Sequence, residues 1–278
     1  MRIQLLSDLH LEVDPGYVPQ AAPDVDVLVL AGDIGSHSPH SALEGADFGL
    51  SRFSPLLTNA KWPRVLYIPG NHEFDWLDYD ATYVRLRKLC DQLGIEWLDR
   101  EIITIGSVRF IGTTLWSDFE ALALLKGGMT EQMRELEKAY RAADFYLRKN
   151  TTARNGKPLL AEQIRELAKE CQSWLYDALL TPFEGTTVTV THFAPTLESA
   201  DPRYGLTPGT AGFCNSMEEF LPFTQLWMHG HLHCRNDFIA TGSVNGEAYR
   251  CRIVANPRGY EDKDEQKDFQ EKFCIELP

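Results

Sequence analysis

Val65-Leu66-Tyr67-Ile68-Pro69-Gly70-Asn71-His72-Glu73 sets four apolar residues directly before a turn that delivers an amide, an imidazole and a carboxylate. An unbroken apolar run of this length suits a strand buried on both faces, since a half-exposed strand would alternate. The same grammar occurs twice upstream. Arg2 to Leu6 runs into Ser7-Asp8-Leu9-His10, and Val25 to Ala31 runs into Gly32-Asp33. In open α/β sheets, ligands gather outside the carboxyl ends of the strands, which is where these polar residues fall.

Two further motifs follow, Thr191-His192 and Gly230-His231-Leu232-His233. Taken singly, His10 or His192 reads as a polar residue at a strand end, and His231 and His233 as two outward positions of one strand. As a set the motifs offer two carboxylates, one amide oxygen and four imidazoles. That mixture suits a pair of divalent first-row metals and not a structural zinc site, which would close with thiolates.

The ordered set resembles the signature of the calcineurin-like metallophosphoesterases: D-x-H, G-D, G-N-H-D/E, H and G-H-x-H. It extends from Asp8 to His233, with no element missing. The resemblance implies an α/β fold, a four-layer α/β/β/α sandwich of two central mixed sheets flanked by helices. It implies that Asp8, His10 and His233 bind one metal, that Asn71, His192 and His231 bind a second, and that Asp33 bridges them. A metal-bridging hydroxide would attack phosphorus, and His72, which binds no metal, would assist the leaving group. Glu73 would either orient His72 or be a surface carboxylate. Mn, Fe, Zn and Co all suit mixed nitrogen and oxygen ligands, so the identity of the ions stays open.

Gly32-Asp33 continues as Ile34-Gly35-Ser36-His37, without the arginine that follows this motif in phosphoprotein phosphatases of the superfamily. The chain looks more like bacterial metallophosphoesterases and class III cyclic-nucleotide phosphodiesterases. A small phosphodiester or phosphomonoester is the expected substrate, with the diester favoured. A nuclease sharing the motifs and a non-catalytic metal-bound scaffold are the alternatives. Three residues are candidates for the substrate pocket: His37, Arg203 in Asp201-Pro202-Arg203-Tyr204-Gly205, and Arg258 in Asn256-Pro257-Arg258-Gly259-Tyr260. Each has an ordinary loop residue as its alternative.

The 278 residues are 44% hydrophobic, enough for a sizeable core, and are read as a single domain over 1–278. A net charge of −13 argues against a coat for nucleic-acid backbones. It leaves room for a small phosphate ester, because two divalent ions, two aspartates and a hydroxide sum to about +1 locally. Six cysteines form no C-x-x-C pair and read as thiols of a reducing cytoplasm. Cys234, directly after His233, is the one to check as a neighbour of the metals. The chain opens on a strand without a basic-then-apolar leader, and no run approaches the ~20 apolar residues of a membrane span, so a cytoplasmic protein is expected.

Between the strands, Tyr83 to Leu93 has helical spacing, and Glu101 to Leu115 reads as a hairpin turning at Gly106-Ser107. Residues 119–181 contain two amphipathic repeats. One runs through Met133, Leu136, Tyr140, Ala143 and Leu147, the other through Leu160, Ile164, Leu167, Cys171 and Leu175. Both suit packing helices, and a partial cap over the site is a second role open to the first. A polar linker over 150–158 joins them. The acidic stretch Glu261 to Asp268 reads as a solvated loop. The oligomeric state is not legible.

Overall fold

The structure, a computed structural model, describes residues 1–244 and 246–278. The early apolar runs fold as parallel neighbours. These are β1 (Arg2–Leu6), β2 (Val27–Ala31), β3 (Val65–Ile68) and the short β4 (Glu96–Trp97). Next come β5 (Glu101–Ile105) and β6 (Val108–Thr113), an antiparallel hairpin turning at Gly106, and the small pair β7 (Ala153–Arg154) and β8 (Lys157–Pro158). The chain ends with β9 (Thr186–Thr191), β10 (Leu226–His229), β11 (Asn236–Val244), β12 (Glu247–Ala255) and β13 (Cys274–Glu276). One mixed sheet has the order β13-β1-β2-β3-β4 and the other β11-β12-β10-β9-β6-β5.

Alternate residues of each central strand serve different cores. Leu5, Val29 and Ile68 of the first sheet share a buried cluster with Val190, Met228 and Val254 of the second. Their strand neighbours Leu6, Leu30, Tyr67, Trp227 and Ile253 belong to a separate cluster that includes the helices. With both faces buried, the two-residue period loses its polar half, which accounts for the continuous apolar runs. Gln4 is the polar exception in β1, and its amide is matched: Nε2 donates to Gln20 O and Glu271 O, and Oε1 accepts from Ala22 N and Trp62 Nε1.

Helix α1 (Tyr79–Leu93) packs against β4. It starts at Asp78, whose Oδ1 accepts the Ala81 N–H at 3.0 Å, and stops at Gly94, at φ 69°. On the far side α3 (Ala161–Leu180) packs on β6, burying Ile164, Leu167, Cys171 and Leu175. The result is the four-layer order of helix, sheet, sheet, helix. Helix α2 (Met129–Asn150) rests on α3 and on the turn at Pro208–Gly212, and buries only Ala139 fully. Its C-terminal end and the linker beyond run beside the segment that follows His72. Asn150 O accepts from Trp76 N at 2.8 Å, Thr152 Oγ1 donates to Phe74 O at 3.0 Å, and Ala153 N donates to Leu77 O at 3.0 Å. Among the described residues no helix is long and apolar enough to cross a membrane, and all six cysteines are free.

Candidate metal centre

Asp8, Asp33, Asn71, His192 and His231 each lie one to three residues beyond the C-terminal end of β1, β2, β3, β9 and β10 respectively. The turns that carry them are tied to one another. Asp8 N donates to Gly32 O, His10 N to Asp33 O, and Gly230 N to His192 O, at 3.0 to 3.2 Å. Fourteen non-glycine residues have positive φ among those described, and five of them are Asp8, His10, Asp33, His231 and His233. Each left-handed residue costs roughly 1 kcal/mol or more, so this concentration marks strain held at a site.

The motif glycines make room for carboxylates. A Cβ on Gly70 would stand 2.2 Å from Asp33 Oδ1, and one on Gly230 would stand 2.6 Å from Asp8 Oδ2. Neither position can carry a side chain while those aspartates point as they do.

Three groups of ligating side chains form a chain across the turns: Asp8, His10 and His233; His10, Asp33 and His72; Asp33, His192 and His231. Within each group the candidate atoms lie within 4.8 Å of one another. His10 Nε2 and His233 Nε2 face each other at 3.0 Å. His192 Nε2 stands 3.2 Å from both Asn71 Oδ1 and Asp33 Oδ2. Asp33 Oδ1 accepts the His72 backbone N–H at 2.8 Å, while Oδ2 is buried without an aligned hydrogen-bond donor. An unmatched buried carboxylate oxygen among converging nitrogens fits a cation.

Behind the imidazoles stand further acceptors. His10 Nδ1 meets Glu12 Oε1 at 2.9 Å, His233 Nδ1 meets Glu265 Oε2 at 2.6 Å, and His192 Nδ1 meets Ala31 O at 2.8 Å. Such contacts leave each Nε2 free to face an ion and raise its basicity. Glu265 corrects the reading of 261–268 as a merely solvated loop. That segment folds into two short turns, and one of its carboxylates faces inward.

Glu73 is also corrected. It does not orient His72 and is not a surface group. Fully buried, it accepts the N–H groups of Gly70, Asp33 and Ile34 at 2.8 to 3.1 Å. His72 Nδ1 pairs instead with Asp75 Oδ2 at 2.6 Å, and Asn150 Nδ2 lies 3.4 Å from the same oxygen. The reason is the local turn. His72–Phe74 is a 3₁₀ segment, which eclipses side chains three residues apart and carries Glu73 to the opposite side.

Burial alone would raise Asp33, but the His192 and His72 imidazoles hold it well below the usual carboxylate range. Burial likewise opposes charge on His192 and His233. Asp33 reverses this for His192 and lifts it to about 9, while hydrogen bonds to Asp8 and Glu265 lift His233 to about 9. His72 is held well above its ordinary value by Asp75 and Asp33, against burial. His231 is pushed well down by burial and then by the charge of His192. Burial and the Asp33 charge push Glu73 up to about 8 despite its three donors.

The substrate candidates are each engaged by neighbouring residues, and Arg258 lines a surface cavity together with His10. His37 Nε2 accepts the Phe48 N–H at 3.2 Å and packs edge-on to the Phe48 ring. Arg203 is committed to Asp201 through Nε and Nη2. Arg258 is buried, paired with Asp14 at 2.6 Å and laid over the Tyr17 ring. Cys234 donates to Ser199 O at 3.7 Å and joins none of the three ligating groups. His229, which the motif reading passed over, is fully buried on β10, with Nε2 3.1 Å from Ser199 Oγ, and burial pushes it down to about 4.

Two outcomes follow from this geometry. Gly70→Ala displaces Asp33 and is expected to weaken metal binding by roughly 10–100-fold or more in chelator competition. Gly127→Ala, whose Cβ meets only open space, leaves binding unchanged; equal behaviour of the two variants would refute the close-approach argument. Protons held on His192 and His233 up to about 9 must leave before an ion binds. The apparent affinity therefore climbs as pH rises toward that value and levels off above it. An affinity that stays flat between about pH 6 and 8 would contradict the assignment of these imidazoles as ligands.

Comparison with known proteins points the same way. A profile described as calcineurin-like phosphoesterase matches residues 1–235. An uncharacterized protein of Acanthamoeba polyphaga mimivirus is 23% identical over 303 aligned positions, covering 100% of this chain and 97% of that one. Among solved structures, the phosphopantetheinyl hydrolase PptH from Mycobacterium tuberculosis aligns with a TM-score of 0.64 at 18% identity, over 96% of this chain and 92% of its own. At that identity the likeness concerns the fold. The profile covers most of the chain and takes in every candidate ligand from Asp8 to His233, so the chain belongs to the calcineurin-like phosphoesterase family.

Proposed function

We propose that the protein is a dinuclear-metal phosphoric ester hydrolase acting on a small phosphodiester or phosphomonoester, with the diester favoured. The observation that carries the reading is the orphan oxygen of Asp33, shared between two of the groups of ligating side chains. Asp8, His10 and His233 would hold one ion, Asn71, His192 and His231 the other, and Asp33 would touch both. Asp33 Oδ1 accepts the His72 N–H, and Oδ2 faces the imidazoles without a matched donor. Mn, Fe, Zn and Co suit the donors. When bound, two such ions supply Lewis acidity and a water acidified to near-neutral pKa.

The chain supplies the rest. His72 keeps 25% side-chain exposure, with Nδ1 on Asp75 and Nε2 4.0 Å from Asp33 Oδ2. Asp75 fixes the ring and stabilises its cationic form, so that Nε2–H is available to protonate a leaving oxygen. Glu12 and Glu265 orient His10 and His233. The acidic net charge favours a small ester over a nucleic-acid polymer, and six free thiols suit the cytoplasm.

Substitutions separate the roles. Asp33→Ala is expected to lose both ions and all turnover. His72→Ala keeps the ions and loses roughly 10²–10⁴-fold in kcat, and Asp75→Asn moves the same way by less. Metal analysis alongside kinetics checks this, and loss of metal from the His72 variant would overturn its assignment. Mn-loaded protein is expected to hydrolyse bis(p-nitrophenyl) phosphate in preference to p-nitrophenyl phosphate. Chelation should abolish both activities and lower Tm by roughly 5–10 °C, from the ~2.7 kcal/mol that a ligand at 100 times its Kd contributes. A monoester preference would reverse the favoured substrate class, and full turnover after chelation would remove the metal reading.

A further inference from the structure

His231 packs against two phenylalanine rings. Phe193 covers it at a centroid distance of 4.0 Å and 38°, and is only 4% exposed. Phe213 stands at 4.9 Å and 30°, yet 43% of it remains exposed. A ring tilted at 30° to its neighbour is covered in part on that side, and the 43% that Phe213 keeps is surface open to a further group. Phe213 therefore presents an open aromatic face at the margin of the ligating groups.

The position is fixed by backbone on both sides. Phe213 N donates to Thr210 O at 3.0 Å, and its carbonyl accepts the Ala194 N–H at 3.3 Å. Cys214 and Asn215, which follow, are fully buried. Asn215 N donates to Ala194 O at 2.9 Å, its Nδ2 donates to Leu115 O at 3.2 Å, and its Oδ1 accepts the Asp118 N–H at 3.1 Å. A large apolar ring held in place beside a polar centre, yet left open, forgoes part of the burial that a phenylalanine normally gains.

Charge narrows what can lie there. The arginines that would have suited a second phosphate are already paired, Arg203 with Asp201 and Arg258 with Asp14. Beyond a single phosphate, the margin near His231 offers an aromatic face.

We propose that Phe213 is a specificity-determining residue whose open face stacks a planar aromatic substituent of the phosphoester, an aryl or nucleobase group, beside the metal centre. The inference rests on the phosphoesterase reading of the site. Stacking on an aromatic side chain tolerates many planar partners, since every such ring has a π-face.

The test compares metal-loaded wild type, Phe213→Ala and Phe213→Trp by calorimetric binding of phenylphosphonate, methylphosphonate and hexylphosphonate, which needs no turnover. Wild type is expected to prefer phenylphosphonate. Phe213→Ala should weaken it by roughly 5–100-fold, with methylphosphonate affinity and metal content unchanged, and Phe213→Trp should restore it. Should the alanine variant lose metal, Phe213→Leu keeps an apolar cover over His231 without the flat face and carries the same expectation.

Kinetics add a second readout. Bis(p-nitrophenyl) phosphate and methyl p-nitrophenyl phosphate share a leaving group, so Phe213→Ala should raise KM more for the first, whose second aryl group can stay on the ring. Equal losses for phenyl and methyl ligands, no phenyl preference in wild type, or an equal gain with hexylphosphonate would each overturn the proposal. Phenylphosphonate binding that depends on Phe213, without turnover of either ester, would sink the hydrolase reading and leave the stacking face standing.

Discussion

Asp33 is 1% exposed, and one of its two carboxylate oxygens meets no aligned hydrogen-bond donor. A buried charge costs several kcal/mol unless it is compensated, and much of the local structure consists of that compensation. The His192 and His72 imidazoles hold the group ionised. Gly70 lacks a side chain because Asp33 Oδ1 occupies the space. Glu73 gathers three amides, those of Gly70, Asp33 and Ile34, and so binds the turn after β3 to the turn after β2. One buried acid thus sets the backbone that presents another, and removing either frees both turns.

The fold brings these turns together by stacking two sheets whose central strands end at a common edge. β1, β2 and β3 are parallel in one sheet, β9 and β10 in the other, and the ligating residues follow their C-terminal ends. Left-handed φ at Asp8, His10, Asp33, His231 and His233 bends the backbone sharply in the turns that carry these side chains. That strain is tolerable because the strands beneath are buried on both faces and cannot shift to relieve it. The α2 end adds a constraint from outside, since Asn150 holds both the Trp76 N–H and the oxygen of Asp75 that meets His72.

The central strands were legible because burial on both faces writes itself as an unbroken apolar run, and the gathering of Asp8, His10, Asp33, His192, His231 and His233 because motif spacing and strand ends coincide. What escaped was long-range or depended on turn type. Glu265 is one of several carboxylates in its segment and lies 32 residues from His233, so nothing local marks it as the one that turns inward. Asp75 could have been found. A 3₁₀ turn after Gly70-Asn71 places residues 72 and 75 on one side, and that spacing favours Asp75 over Glu73 as the partner of His72. Composition could not show that Arg203 and Arg258 are consumed by Asp201 and Asp14, because pairing is a property of the folded loops. Composition marks 150–158 only as a polar linker, and in the fold its backbone groups bond the segment after His72.

Carboxylates surround this centre in an already acidic chain. Asp8 and Asp33 lie within it, and Glu12, Asp75, Glu265 and Glu73 stand behind. Without cations such a centre repels a phosphate, and protons on His192 and His233, held up to about 9, partly stand in for the missing charge. Cations displace those protons and reverse the local field. The outer carboxylates therefore act twice. Glu12 and Glu265 strengthen His10 and His233 as donors to a cation, and together the outer carboxylates make the unloaded centre unattractive to an anion. Attraction for an anionic ester would thus depend on prior metal loading, and net charge alone says little about which small anions the chain can bind.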